Sequence, residues 1–311
     1  MFLTRSISRV FIFLLCISAV ALFFSSSWYL SFYFLKKPRL SACDKCLTED
    51  DPWFRELITS SPKPFLSKYI TSEEVFNWWK LLQREQRNFT FYNATVDNLF
   101  KMFRPIPDVL ESSPDRCRSC AVVGNSVNLK GSHYGPLIDF HDIVMRMNHG
   151  RTKGYEADVG TKTTHHLMYP ESAIHLDNTT HLVLTPFKMQ DLLWLHKTFD
   201  MGKNTMKSKS IANKDMVMIL NPAFMKYVHD NWLQKKGKYP STGFLTLALS
   251  MHICDEVSVF GFGADSEGNW SHYFERLQNK KLKTGPHAGM HEYEIVEQLY
   301  MMQKIQFFKG W

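Results

Sequence analysis

The sequence predicts an α/β protein with one parallel sheet flanked by helices. Short apolar runs recur along its central part, and several end in Gly or Asn. Stretches of helical periodicity separate them. No internal repeat breaks the pattern, so the alternation reads as a single domain whose ligand chemistry sits at the strand C-terminal ends.

Element by element, residues 1–9 read as a short tail carrying Arg5 and Arg9. Residues 10–35 contain no charge and run for 26 residues, long enough to span a bilayer at about 20 residues. Lys36, Lys37 and Arg39 follow. The expectation is an uncleaved signal anchor with a cytosolic tail and a lumenal body. Residues 36–72, rich in Pro and Ser, read as a stem, and 73–311 as the folded body. Ser72 caps a helix through Val75, Phe76, Trp79 and Leu82. Strands are expected at Ala121–Val123, Ile143–Met147, His181–Leu184, Met216–Leu220, Val257–Phe260 and Ile305–Phe308. Helices are expected at Phe224–Gln234, Thr242–Ile253 and Glu292–Gln303. His165-His166 lies in a strand-like run and reads as structural.

Charge narrows the function class. The 311 residues carry 37 Lys+Arg and 30 Asp+Glu, a net charge of +7. Five of the basic residues lie in the first 39, where no acid occurs; without them 32 basic face 30 acidic residues, a net of +2. The body is therefore not a basic nucleic-acid binder. Sequons at Asn88, Asn93, Asn178 and Asn269 agree with a lumenal body. So do Cys43, Cys46, Cys117, Cys120 and Cys254, which allow two bridges and one leftover thiol in an oxidising compartment. Buried thiols, or a metal held by the two C-x-x-C pairs, are the alternatives at this point.

Several segments can carry chemistry. Gly124-Asn125-Ser126 and Asn148 follow strands and place backbone donors and amides at one sheet edge; ordinary turns are the competing reading. Ser241-Thr242-Gly243 opens an apolar helix whose N-terminal amides suit a phosphate, or simply cap it. Gly261-Phe262-Gly263 permits close backbone approach. His272 and His287 can exchange a proton with a hydroxyl near neutral pH. His287 and His291 stand four apart, but no H-E-x-x-H occurs, and no D-x-D occurs anywhere to grip a metal–nucleotide.

These segments together resemble the animal sialyltransferases. Cys120–Ser126 with Tyr134-Gly135-Pro136, Arg146-Met147-Asn148 and Asp158–Thr164 is similar to the family's large motif. Tyr239–Gly243 through Cys254 and Gly261–Asp265 is similar to the small motif. His272–Glu275 resembles the third, and His287-x4-Glu292 the very small one. Trp78-Trp79, Gln83-Arg84-Glu85 and the Phe308-Lys309-Gly310 ending point to the beta-galactoside alpha-2,3 branch. The resemblance covers about residues 43–311. Val127 stands where relatives often have Gly, and Met201–Lys214 lacks a tyrosine that relatives place near the donor.

The resemblance implies a GT-A-like variant with a single Rossmann-like sheet, anchored in the Golgi membrane as a single-pass type II protein. It implies CMP-sialic acid as donor, Galβ1-3GalNAc on glycoproteins or glycolipids as acceptor, and no metal or other cofactor. Donor-binding positions are then Asn125, Asn148, Tyr239, Ser241, Thr242, Gly243, Gly261, Phe262, Gly263 and Trp270. Gln83 matches an acceptor contact, His287 the general base and His272 the phosphate partner. Cys120–Cys254 and Cys43–Cys117 match the family's bridges, leaving Cys46 over. A relative that binds CMP-sialic acid or glycan without turnover is the alternative, against which the intact His272 and His287 argue.

Overall fold

The computed structural model describes residues 43, 51–68, 70–104, 115–201, 211–275 and 284–311. The expected tail, the 10–35 anchor and Cys46 lie outside these residues. No helix of the described residues is long and apolar enough to cross a membrane.

Seven strands form one sheet: β1 Ser119–Val123, β2 Ile143–Met147, β3 His165–Met168, β4 His181–Leu184, β5 Val217–Ile219, β6 Glu256–Phe260 and β7 Gln306–Phe308. Their order is β5-β4-β3-β2-β1-β6-β7, and every pairing is parallel. From β1 the chain builds outward to β5, then crosses back to β6 on the other side of β1. That reversal makes the β1/β6 edge the switch point, where strand ends diverge and leave a crevice.

Nine α-helices accompany the sheet among the described residues: α1 Pro52–Thr59, α2 Glu73–Leu81, α3 Phe89–Met102, α4 Gly135–Phe140, α5 Glu156–Val159, α6 Met189–Met201, α7 Pro222–Tyr227, α8 Thr242–Ile253 and α9 Gly289–Met301. Alternation along β1 splits the core. Cys120 and Val122 join a large cluster on one face, while Ala121 and Val123 join a smaller one with Ile138, Val144 and Phe260 on the other. Helix α8 is apolar nearly all round and buries ten of its twelve residues. A helix without a polar face belongs inside the protein, and α8 lies across β1, β2, β3 and β6.

Two expectations need correction. The stem assigned to 36–72 is folded body over much of its length: α1 is capped by Asp51 and buries Phe54 and Leu57, Leu66 is buried, and Phe65 bridges Leu220 beside β5. Pro and Ser there suit the cap and extended backbone, while the few apolar residues between them suffice to dock the segment. The helix expected over Phe224–Gln234 is divided into α7 and a π-helical turn at Val228–Trp232. Helices α3 and α6 had no counterpart in the sequence reading.

The two C-x-x-C pairs do not form a metal site. Cys43 bonds Cys117, and Cys120 bonds Cys254. The second bridge links the start of β1 to the C-cap of α8.

Candidate active site

A cleft of about 450 Å³ opens at the C-terminal ends of β1, β2 and β6. Of the residues expected to hold donor or to do chemistry, Asn125, Asn148, Ser241, Thr242, Gly243, Gly261, Phe262, Gly263, Trp270, His272 and His287 all line it. Tyr239 and Gln83 do not. They stand behind the His287 wall, where the Gln83 amide Nε2 donates to the Tyr239 hydroxyl at 2.9 Å. Burial raises the Tyr239 phenol above its ordinary pKa.

The strand-end turn after β1 is fixed from both sides. Ser126 N donates to the Gly261 carbonyl (3.0 Å), and Val127 N to the Ser271 carbonyl (2.9 Å). Val127 opens a 3-10 turn and is not among the residues with positive φ, so a side chain here costs no backbone strain. Gly261 has φ +63°, and a Cβ there would meet Leu129 at 2.3 Å. Only glycine lets β6 turn that closely beneath the first loop.

Asn125 donates its Nδ2 to the Met147 carbonyl at 3.1 Å, while its Oδ1 is buried with no partner. An orphan acceptor is costly unless a ligand donor completes it. Asn148 sits in the left-handed region at φ 54° and takes a hydrogen bond from Ser172 Oγ on its Oδ1 (3.0 Å). Its carbonyl accepts from His166 Nε2 at 2.7 Å. His166 is therefore structural, as its strand position suggested, and it holds a cleft residue in place. Burial depresses it to a pKa of about 4, so the ring is neutral at physiological pH.

On the opposite wall the N-terminus of α8 points into the cleft. Ser241 Oγ accepts from Phe244 N (3.1 Å), and Thr242 and Gly243 bring the first-turn amides to the surface. The N-terminal end of an apolar helix packed on a sheet presents partial positive charge to any anion placed there. Ser241 is gripped in turn by Glu292: Oε1 takes its N–H at 2.8 Å and Oε2 its hydroxyl at 2.6 Å. Burial raises the Glu292 pKa, against the two Ser241 bonds that lower it. Glu292 is the lone carboxylate among the described lining residues.

The two histidines differ in surroundings. His287 immediately precedes the Ala288 N-cap of α9, and its Nδ1 lies 3.0 Å from the Tyr239 carbonyl. A carbonyl oxygen only accepts, so Nδ1 carries a proton and donates. Tyr239 also meets the ring edge-on at 5.0 Å. His272 is half exposed; its Nδ1 lies 2.8 Å from Glu275 Oε2, and its ring stacks on Phe274. One ring thus bonds a backbone carbonyl and the other a side-chain carboxylate. Their other ring nitrogens have no intramolecular partner among the described residues.

The sequence reading missed Tyr169, which enters the cleft directly after β3, a strand seen only as a strand-like run. It left Glu292 and Glu275 inside quoted motifs without a role. Of the sequons, Asn88 caps α3 and Asn178 is exposed. Asn93 lies within α3, and the Asn269 Nδ2 donates to Asp265.

Residues 65–304 match glycosyltransferase family 29 (sialyltransferase). The chain is 43% identical to the mouse CMP-N-acetylneuraminate-beta-galactosamide-alpha-2,3-sialyltransferase 1 over 289 residues, which span 88% of this chain and 85% of the mouse protein. It is 40% identical to the mouse type 2 enzyme over 283 residues, 88% of this chain and 81% of that one. Two solved structures are similar at 43% identity. A mammalian sialyltransferase in complex with Gal-beta-1-3GalNAc-ortho-nitrophenol has a TM-score of 0.76, covering 86% of this chain and 99% of that one. A second mammalian sialyltransferase structure has a TM-score of 0.78, covering 88% and 100%.

Proposed function

Because this chain belongs to glycosyltransferase family 29, the sialyltransferases, we propose that it moves sialic acid from CMP-sialic acid to the galactose 3-hydroxyl of Galβ1-3GalNAc. The observation that carries the reading is the convergence on one cleft of His287, whose Nδ1 bonds the Tyr239 carbonyl and leaves Nε2 without a partner among the described residues, and the α8 N-terminus. His287 Nε2 takes the proton from the acceptor hydroxyl as the oxygen attacks the anomeric carbon. The bond to the CMP phosphate breaks on the far side, so configuration inverts. His272, backed by Glu275, and the amides of Thr242 and Gly243 face the phosphate charge that CMP carries away. Asn125, with its open Oδ1, and Asn148 hold the nucleoside end; Gln83, bonded to the Tyr239 hydroxyl, contacts the acceptor.

The reading includes metal independence. No D-x-D occurs, and the lining carboxylate Glu292 is committed to Ser241, so cationic groups of the chain take the phosphate charge. It also includes a type II Golgi anchor over 10–35 and a lumenal body acting on O-glycans and glycolipids. Two disulfides and four sequons support an oxidising secretory compartment. The test is transfer from CMP-sialic acid to free Galβ1-3GalNAc, with linkage analysis, in EDTA and with added Mn²⁺. An alpha-2,3 product formed equally in EDTA supports the reading. No product, or activity that needs Mn²⁺, counts against it.

A further inference from the structure

The His287 side of the cleft is rimmed by cations. The chain turns tightly between the π-helical segment and Tyr239, through Gln234, Lys235, Lys236, Gly237 and Lys238, all exposed. Gln234 (φ 50°) and Lys235 (φ 62°) are consecutive non-glycine residues in the left-handed region, followed by Gly237 at φ 75°. Such backbone is sparsely populated by non-glycine residues and persists where the surroundings hold it. Here they do: Lys235 N donates to the His229 carbonyl, Lys236 N to that of Leu233 and Lys238 N to that of Pro286, at 2.8–2.9 Å. The last bond ties the lysine turn to the loop that carries His287. Across from it Arg84, also exposed and at φ 56°, follows Gln83, whose amide reaches Tyr239.

None of the three lysines or Arg84 is in an ion pair among the described residues. Most nearby acids are engaged elsewhere: Asp230 with Lys226, Glu85 with Arg87 and Glu292 with Ser241. Among the described residues the lysine heads make one contact, Lys236 Nζ with His291 Nδ1 at 3.4 Å, the nitrogen that also lies 3.3 Å from Glu294 Oε2. In a body whose net charge is only +2, four cations outside any ion pair among the described residues, three of them on a turn bonded to the His287 loop, make a locally positive rim.

We propose that this rim is an interaction surface for acidic residues in the polypeptide that bears the acceptor sugar. The inference rests on the transferase reading above. A Galβ1-3GalNAc unit is uncharged, so the cations do nothing for the sugar itself. With the galactose hydroxyl at His287, an aglycone that leaves the cleft over the loop to which the lysine turn is bonded brings carboxylates flanking the glycosylated residue to the lysines. The pairs are exposed and long-range, so they act on capture of the acceptor and weaken with salt.

The experiment uses the full chain in detergent with three acceptors: free Galβ1-3GalNAc, the same disaccharide on a Thr peptide flanked by Asp and Glu, and on one flanked by Ser and Gly. Because exposed pairs are individually weak, KM for the acidic glycopeptide should be about threefold to thirtyfold lower than for the neutral one at low salt. The gap should close in roughly 0.5 M NaCl, where screening is short. It should also close in a Lys235→Gln, Lys236→Gln, Lys238→Gln variant whose turnover of free disaccharide is unchanged. Turnover without preference, or a preference that survives the triple substitution, overturns this inference alone. Charge-dependent binding to phosphatidylserine vesicles with no glycopeptide preference overturns it too and assigns the rim to a lipid surface. No turnover of the free disaccharide by the unmodified chain removes the transferase reading and this inference with it.

Discussion

Glu292, in the first turn of the last helix, closes both carboxylate oxygens on Ser241, the N-cap of α8, at 2.8 and 2.6 Å. The contact locks the helix that follows His287 to the helix whose N-terminus lines the cleft, across 51 residues of chain.

Breaking that lock should act on donor binding first. A Gln at 292 keeps one acceptor and leaves a buried Ser241 donor unmet, a cost of about 1–3 kcal/mol. Glu292→Gln is therefore expected to raise KM for CMP-sialic acid by roughly fivefold to a hundredfold, with a smaller loss of turnover at saturating donor. Steady-state kinetics at varied donor checks this; an unchanged KM would mean that the contact does not position the α8 N-terminus.

The two histidines should separate kinetically. His287→Ala removes a base and is expected to lower turnover by about 10²–10⁴ while CMP affinity is kept. His272→Ala should weaken CMP affinity and turnover together, because the phosphate is charged in both the ground and transition states. Calorimetric CMP titration alongside turnover decides it. Loss of CMP binding in His287→Ala with retention in His272→Ala would exchange the two roles.

Asp191 should leave a mark on stability against pH. It is 1% exposed, and burial raises its pKa to about 6. The Phe187 and Lys188 amides bond its Oδ2. Between its ordinary value of 3.8 and about 6 the native chain binds the proton and the unfolded chain does not, so this group's contribution to stability falls as pH rises through the window. Two pKa units correspond to about 3 kcal/mol. Relative to the unmodified chain, Asp191→Asn should gain stability from pH 4 to 6.5, by on the order of 2–3 kcal/mol. Denaturant melts at both pH values measure it; a flat difference contradicts the assignment.

The Cys120–Cys254 bridge joins residues 134 apart. Loss of a native bridge in a secreted fold costs about 2–5 kcal/mol, so Cys254→Ala should lower the melting temperature markedly. Non-reducing peptide maps should pair Cys120 with Cys254 and Cys43 with Cys117, and a Cys46–Cys117 peptide would refute that pairing.

Local physics made much of this protein legible from its residues. Apolar runs marked β1, β2, β4, β5 and β6, because a strand buried on both faces has no polar side to show, and the short apolar run at the end marked the edge strand β7. Ser72 and Ser241 announced helix starts, since a hydroxyl there satisfies an otherwise unpaired amide. Motif order identified the family and, with it, most of the cleft. Helices α3 and α6 escaped because their apolar residues are interrupted by polar ones, and α1 because eight residues in a Pro- and Ser-rich stretch carry little periodicity. Pairings distant along the chain were decided by the tertiary structure alone. The β1/β6 switch point brought Asn125 beside Gly261. The Tyr239 carbonyl met Nδ1 of His287. Glu292 found Ser241, and the lysine turn was tied to the loop of the base. Each depends on direction and distance between segments far apart in the chain, and local propensity and composition carry no record of either.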